Sequence, residues 1–161
     1  MIQRVQSIFL FIAAIIPIVL IFIPLGFLST DGAQYVYNSI SLKENVPEGV
    51  SVVRNYYVAF CLALTTVLSA IALFSFKNRV RQMRIISITE IVFLITLFIM
   101  LWVCPDMVYG KFFSARGETF AFDYNYVPLI ALIVVEAVSL FLANRFVRKD
   151  EMLVRSADRL R

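Results

Sequence analysis

Two glutamates inside long apolar runs are the residues of this chain with the most potential for chemistry, Glu90 and Glu136. An acid at the centre of a membrane helix costs about 2.5–3.5 kcal/mol, so such residues usually face the interior of a helix bundle and are candidates for function. At 1.5 Å per residue, Glu90 lies about 9 Å beyond Arg84 and Glu136 about 13 Å beyond Arg145. We therefore expect the two carboxyls to differ by about 4 Å in depth and to meet if their helices are neighbours.

Several roles are open for these carboxyls. Each could be a protonated acid that bonds a neighbouring helix, or Glu90 could reach Arg84 or water. Proton or ion coupling and a lipid-headgroup or substrate site are the functional alternatives, and neither has a supporting motif. The structural role is the default interpretation, and its candidate partners are the hydroxyl groups of Tyr57, Thr65, Thr66, Ser87 and Thr89.

The remaining chemistry of the chain is sparse. It has no histidine, which removes the commonest metal ligand and acid–base group. Its two cysteines, Cys61 and Cys104, form no CxxC pair. Because no phosphate-binding glycine loop is present either, we predict no catalytic residue, no metal site and no cofactor.

Four apolar runs fill most of the 161 residues, which are 61% hydrophobic with a mean hydropathy of +0.85. The runs cover residues 8–28, 56–76, 85–104 and 127–146. About 20 apolar residues cross a bilayer, and only a helix satisfies the backbone there. The pattern predicts an all-α membrane fold, a single domain over residues 1–161 forming a four-transmembrane-helix bundle. Pro17 and Pro24 are expected to kink the first span.

The basic residues are distributed unequally around these runs. Eleven of the 15 Lys and Arg residues fall before the first run, between the second and third, or at the end of the fourth run and beyond it. The positive-inside rule then places both termini, the loop 77–84 and the tail 147–161 in the cytoplasm, and the loops 29–54 and 105–126 outside. The basic residues that we expect to contact lipid or a partner are Lys77, Arg79, Arg81, Arg84, Arg148, Lys149, Arg155, Arg159 and Arg161.

Both external loops contain hairpin patterns. Residues 33–40 and 50–53 are typical of two strands joined by a turn, and residues 111–114 and 119–122 of a second hairpin around 115–118. We expect a small extracytoplasmic β-hairpin cap, rich in interfacial aromatics. The cytoplasmic tail has one apolar face and predicts a helical extension of the fourth span, or a helix on the membrane surface.

The two ends of the chain resemble a known family. The blocks MIQRVQSI at residues 1–8 and RKDEMLVRSADRLR at 148–161 resemble an uncharacterised family of four-span integral membrane proteins of Bacteroidetes-type bacteria. The resemblance extends over the full length. It implies a bacterial inner-membrane location and a four-helix bundle, and it implies no activity.

Three functions are compatible with these observations. The leading hypothesis is a non-enzymatic inner-membrane protein, a binding or accessory subunit of a membrane assembly. Its partners would be membrane lipids and a membrane protein or a second copy, without nucleic acid. The alternative is a small proton-coupled transporter that uses Glu90 and Glu136, and the weakest is a membrane enzyme acting on lipid or quinone.

Overall fold

Long helices and a small sheet form the fold in a computed structural model, which describes residues 2–30, 33–45, 51–117, 119–124 and 126–159. The helices are α1 (Ile2–Phe22), α2 (Tyr57–Phe74), α3 (Arg79–Phe98), the short α4 (Lys111–Ser114) and α5 (Tyr126–Arg159). A π-helical segment, Ile99–Gly110, joins α3 to α4 without a break. The predictions of a mainly helical fold and of a small antiparallel sheet are confirmed.

The long helices form a closed ring of contacts. Helix α1 packs against α2 and α5, and α3 packs against the same two helices. At one end of the bundle, Gln6 donates a hydrogen bond to Gln82 at 3.1 Å, and a cluster of Leu10, Ile86 and Ala143 follows one turn further in. We call this end, which carries the α2–α3 connection and the last turns of α5, the tail end, and the opposite end the sheet end.

The outer faces of the helices are apolar. Helix α1 exposes a stripe at helical spacing that consists of Ile8, Phe11, Ile15, Ile18 and Phe22. By length and composition, three helical stretches could cross a membrane: Tyr57–Phe74, Arg79–Ser114 and Val127–Val154. The apolar part of α1, Gln6–Phe22, is shorter. An apolar exterior on helices of this length suggests a protein associated with a membrane.

The sheet end carries five antiparallel strands in the order β4–β3–β2–β1–β5. They are β1 (Gly26–Thr30), β2 (Gln34–Tyr37), β3 (Ser41–Glu44), β4 (Ser51–Arg54) and β5 (Phe120–Tyr124). Gly26 lies where β1 meets β5, and a Cβ there would come within 2.9 Å of the Asp123 carbonyl oxygen. Glycine at this position permits the close approach of the two strands.

The first span was predicted too long. The helix ends at Phe22, and the remainder of the apolar run turns into β1. Pro24 disfavours a helical conformation at the residue before it and cannot continue the helix itself. Leu25 and Leu28, predicted to lie in the membrane helix, are fully buried beneath the sheet.

The prediction of a loop over residues 105–126 was wrong in its first half, since the helix that includes Cys104 continues through Pro105 to Ser114. In a π-helix each N–H bonds the carbonyl five residues earlier, so Pro105 leaves the carbonyl of Met100 without its donor. The hydroxyl of Tyr37 in β2 donates to this carbonyl at 3.3 Å. A contact from the sheet therefore compensates for the proline.

Both predicted hairpins also need correction. Residues 111–114 form α4, while residues 120–124 form β5, which pairs with β1 in place of a hairpin partner. The segments 33–40 and 50–53 do contain strands, β2 and β4, but β3 lies between these strands. The first turn was expected at residues 43–49, but Lys43 and Glu44 belong to β3, and residues 46–49 lie outside the described residues, as does Glu118 of the second turn.

Candidate functional site

A chain of polar side chains connects α3 to α5 near the tail end. Asn144 donates to the Glu90 carboxylate at 3.1 Å and to the Ser87 hydroxyl at 3.3 Å. Its carbonyl oxygen accepts a hydrogen bond from Arg148 Nε at 3.1 Å. Asn144 is only 6% exposed, so its amide lies buried between a carboxylate and a guanidinium.

Helical spacing explains why these residues meet. Ser87 and Glu90 are three residues apart on α3, and Asn144 and Arg148 are four residues apart on α5, so each pair lies on one helix face. Because α3 and α5 are neighbours, the two faces meet in one network. The amide group suits the central place since it donates and accepts at once.

An open groove of about 950 Å³ runs along this network. We call it the tail groove, and it is lined by Glu90, Phe141, Leu142, Asn144, Arg145, Phe146, Arg148, Lys149 and Met152. On the other side of Arg148 lies a second cavity of about 550 Å³, which Arg84 and Ser87 also border. Arg148 therefore stands between two grooves and is held there by Asn144.

Along α5 the lining of the tail groove begins apolar, becomes cationic and ends at the apolar Met152, and α3 adds one carboxylate, Glu90. Phe141, which is 61% exposed, marks its apolar end. Arg145 follows about one turn later and Lys149 about one turn after that, about 6 and 12 Å along the helix axis from Phe141. An amphiphile with one apolar and one anionic end matches this order of side chains.

An ion pair fixes the start of α3 to the far part of α5. Arg79 contacts the Asp150 carboxylate at 3.2 Å and also donates to the Asp150 backbone carbonyl at 3.2 Å. At the start of α3, the Asn78 side chain accepts a hydrogen bond from the Arg81 N–H and caps the helix. The ion pair therefore ties the start of α3 to α5 just beyond the residues that line the tail groove.

Glu136 lies in a different environment. Its side chain is fully buried, and neither carboxyl oxygen has a hydrogen-bond partner among the described residues. Leu140, one turn along α5, packs in an apolar cluster with Ala13 and Phe93. Glu136 is therefore buried one helical turn from an apolar cluster and outside the polar network of Asn144.

The structure does not bring the two predicted carboxyls together. Glu90 is level with its partner Asn144, which is eight residues from Glu136, or about 12 Å along α5. The expected difference in depth was about 4 Å. Three of the hydroxyls considered as partners donate to carbonyls of their own helices instead: Thr65, Thr66 and Thr89.

The predicted basic residues separate into groups. Arg148 and Lys149 border the tail groove, Arg84 borders the adjoining cavity, and Arg79 forms the ion pair. Lys77 and Arg81 are exposed at the α2–α3 connection. The side chains of Arg155 and Arg159, and the whole of Arg161, lie outside the part of the chain that the structure describes.

Two residues of the site were missed from the sequence, Asn144 and Arg145. The available signal was the spacing of Asn144 from Arg148, which is one helical turn, at the end of an apolar run. At the sheet end, both cysteines are free thiols, and Asn55 Nδ2 lies 2.9 Å from Cys104 Sγ. Within the described ranges, no group of three acidic, cysteine or histidine residues is arranged to hold a metal ion.

A comparison with protein families now adds to this geometry. The family model described as Domain of unknown function (DUF4293) matches residues 2–160. The chain belongs to this family. The predicted membership in a family of unknown function is thereby confirmed. No curated protein and no solved structure matches the chain. The tail groove is therefore the candidate functional site of this DUF4293 protein.

Proposed function

We propose that this DUF4293 protein is a non-enzymatic, four-span protein of the bacterial inner membrane that binds an anionic phospholipid in the tail groove. It would act as a binding or accessory component, with both termini in the cytoplasm. The observation that carries the proposal is the order of apolar and cationic side chains along the groove. The family supplies no activity to weigh against it.

The apolar stripe of α1 supports a fourth span. The apolar part of α1, Gln6–Phe22, is about 25 Å long, which is close to the hydrocarbon thickness of a bilayer. Exposed side chains such as Phe11 and Ile15 would be costly in water and suit contact with lipid tails. Four spans with the basic tail end inside agree with the excess of Lys and Arg there.

The tail groove suits a lipid by depth as well as by charge. Phe141 and Leu142 would contact the acyl chains, and Arg145 and Lys149 would lie at the level of the phosphate. Arg148 uses Nε for its bond to Asn144, which orients the guanidinium for binding of a phosphate by its other nitrogens. Cations at such a surface contribute about 1 kcal/mol each toward anionic lipid.

The transporter alternative gains no comparable support. It would couple protons through Glu90 and Glu136, which are separated by about 12 Å along α5. Glu136 lines neither the tail groove nor the cavity on the other side of Arg148. A binding role needs only the groove that is present.

The test measures retention of phosphatidylglycerol over phosphatidylcholine by native mass spectrometry of protein purified in mild detergent. The double variant Arg145→Gln/Lys149→Gln leaves the Asn144–Arg148 bond intact and removes two cations of the groove. We expect its affinity for phosphatidylglycerol to fall about 30-fold, which corresponds to about 2 kcal/mol.

The matched control is Lys77→Gln/Arg81→Gln, which removes two exposed cations from the same end but outside the groove. Its affinity should change less than threefold, by about 0.6 kcal/mol at most. Equal losses in the two double variants would show general charge attraction and would refute a lipid site in the tail groove.

A further inference from the structure

A second groove, of about 500 Å³, lies at the opposite end of the bundle, between the end of α1 and the β3–β4 edge of the sheet. We call it the sheet groove. It is lined by Ile21, Phe22, Asn38, Ile40, Ser41, Lys43, Arg54 and Tyr56. No residue is shared with the tail groove, so its chemistry can be judged independently.

Hydrogen bonds fix the walls of the sheet groove. The buried Ser39 hydroxyl, in the β2–β3 turn, donates to the carbonyl of Ile21 at 2.9 Å and ties the turn to the end of α1. The backbone N–H of Asn55 donates to the Ile40 carbonyl at 2.7 Å. The groove is therefore preformed, and a ligand would not have to order it.

The side chains of the sheet groove carry positive charge. Arg54 in β4 lies directly opposite Ser41 in β3, and Lys43 is two residues further along β3. No aspartate or glutamate is among the described lining residues. The charge of the groove therefore favours an anionic ligand.

From the helix end outward, the side chains of the sheet groove change from apolar to aromatic to cationic, which matches a lipid at the membrane interface. Phe22, at the end of the apolar helix α1, is 80% exposed. Tyr56, just before α2, is 58% exposed and is of the residue type that favours the headgroup level. Lys43 lies about 7 Å beyond Ser41 along β3, on the side away from the helix end.

We propose that the sheet groove binds the phosphate headgroup of an anionic phospholipid from the leaflet on the sheet side. Lys43 and Arg54 bind the phosphate, Ser41 and Asn38 donate to its ester oxygens, and Phe22 contacts the first methylenes of an acyl chain. A soluble anion would use the cations but would leave the exposed Phe22 and Ile21 without a role.

The experiment uses a single tryptophan in the groove as reporter. Trp102 is the one tryptophan of the chain, so Trp102→Phe with Tyr56→Trp leaves fluorescence only at the sheet groove. The protein is reconstituted in vesicles that contain phosphatidylglycerol or phosphatidylcholine brominated near the carbonyl group. We expect quenching to favour phosphatidylglycerol strongly.

In this reporter background, Lys43→Gln/Arg54→Gln should lower the preference for phosphatidylglycerol about 30-fold. The matched control is Lys111→Gln/Arg116→Gln, which removes the same charge from the sheet end outside the groove and should leave the preference unchanged. If the double variant fails to fold, the single exposed Lys43→Gln should still lower the preference about fivefold.

Three results would overturn the proposal: equal quenching by both lipids, an equal loss in the control variant, or displacement of the lipid by excess inorganic phosphate. The last would assign the groove to a soluble anion. Arg145→Gln/Lys149→Gln should not alter this quenching, so failure of the tail-groove proposal and failure of this one can be told apart.

Discussion

Glu90 accepts hydrogen bonds from Asn144 beside an open groove, whereas Glu136, on the neighbouring helix, is fully buried without a hydrogen-bond partner among the described residues. Burying a polar group without a partner costs several times more than burying one that is satisfied. The two glutamates look alike in the sequence, since both interrupt apolar runs. The structure places one in a polar network and buries the other without a hydrogen-bond partner among the described residues.

The largest effect on stability is expected when the amide at the centre of the Glu90 network is removed, which tests whether that network stabilises the protein. Asn144→Leu leaves a carboxylate, a hydroxyl and a guanidinium nitrogen without their partner, so we expect a loss of about 3 kcal/mol in the free energy of unfolding. Denaturant titration in mixed micelles measures the loss.

Thr89→Val is the control for Asn144→Leu, because Thr89 donates only to the carbonyl of Ile85 in its own helix. Its effect should be below about 1 kcal/mol. A cost for Asn144→Leu no larger than that of the control would mean that the network contributes nothing to stability.

A second test acts on the other carboxyl. Glu136→Leu replaces a buried acid that has no partner among the described residues by an apolar side chain of similar size, so we expect a gain of about 1–2 kcal/mol in the free energy of unfolding. The matched change Glu90→Leu should instead reduce it, because Asn144 loses an acceptor. If Glu136→Leu destabilised the protein, Glu136 would have a stabilising partner, and the contrast between the two sites would be lost.

The smallest expected effect on stability is that of a change at the sheet end, where a buried carbonyl does have a partner. The carbonyl of Met100, left without its donor by Pro105, is satisfied by Tyr37, unlike the carboxyl of Glu136. Tyr37→Phe should therefore cost about 1 kcal/mol of unfolding free energy. In a Pro105→Ala background, where the backbone N–H is restored, the same change should cost less than about half as much. Equal costs in both backgrounds would mean that Tyr37 does not compensate for the missing N–H of Pro105.

Hydropathy predicted the helical character of the chain well. The apolar runs that became α2 and α5 begin and continue close to where they were expected, and the extension of α5 follows the apolar face of the tail. Hydropathy predicted the end of the first helix wrongly, because one apolar run contains both α1 and the start of the sheet. Leu28 is apolar because it packs beneath the sheet, and hydropathy alone does not distinguish that role from contact with lipid.

The π-helical segment shows a second limit. Pro105 is normally evidence that a helix has ended, yet here the helix continues because a tyrosine 63 residues before Met100 supplies the missing donor. Local sequence holds no trace of such a contact. For the same reason, the sequence predicted only part of the candidate site. Glu90 stood out as a charge in an apolar run. Its partner Asn144 did not, because its role depends on contact with the neighbouring helix.

The bond between Tyr37 and the Met100 carbonyl has a consequence for how the protein can change over evolutionary time. The tyrosine hydroxyl contributes most to stability while residue 105 lacks an N–H, and the proline costs least while the hydroxyl is present. We therefore expect selection to act on the two positions together, although they are far apart along the chain. We expect relatives with another residue at position 105 to lack the tyrosine as well, so that the pair is kept or lost together.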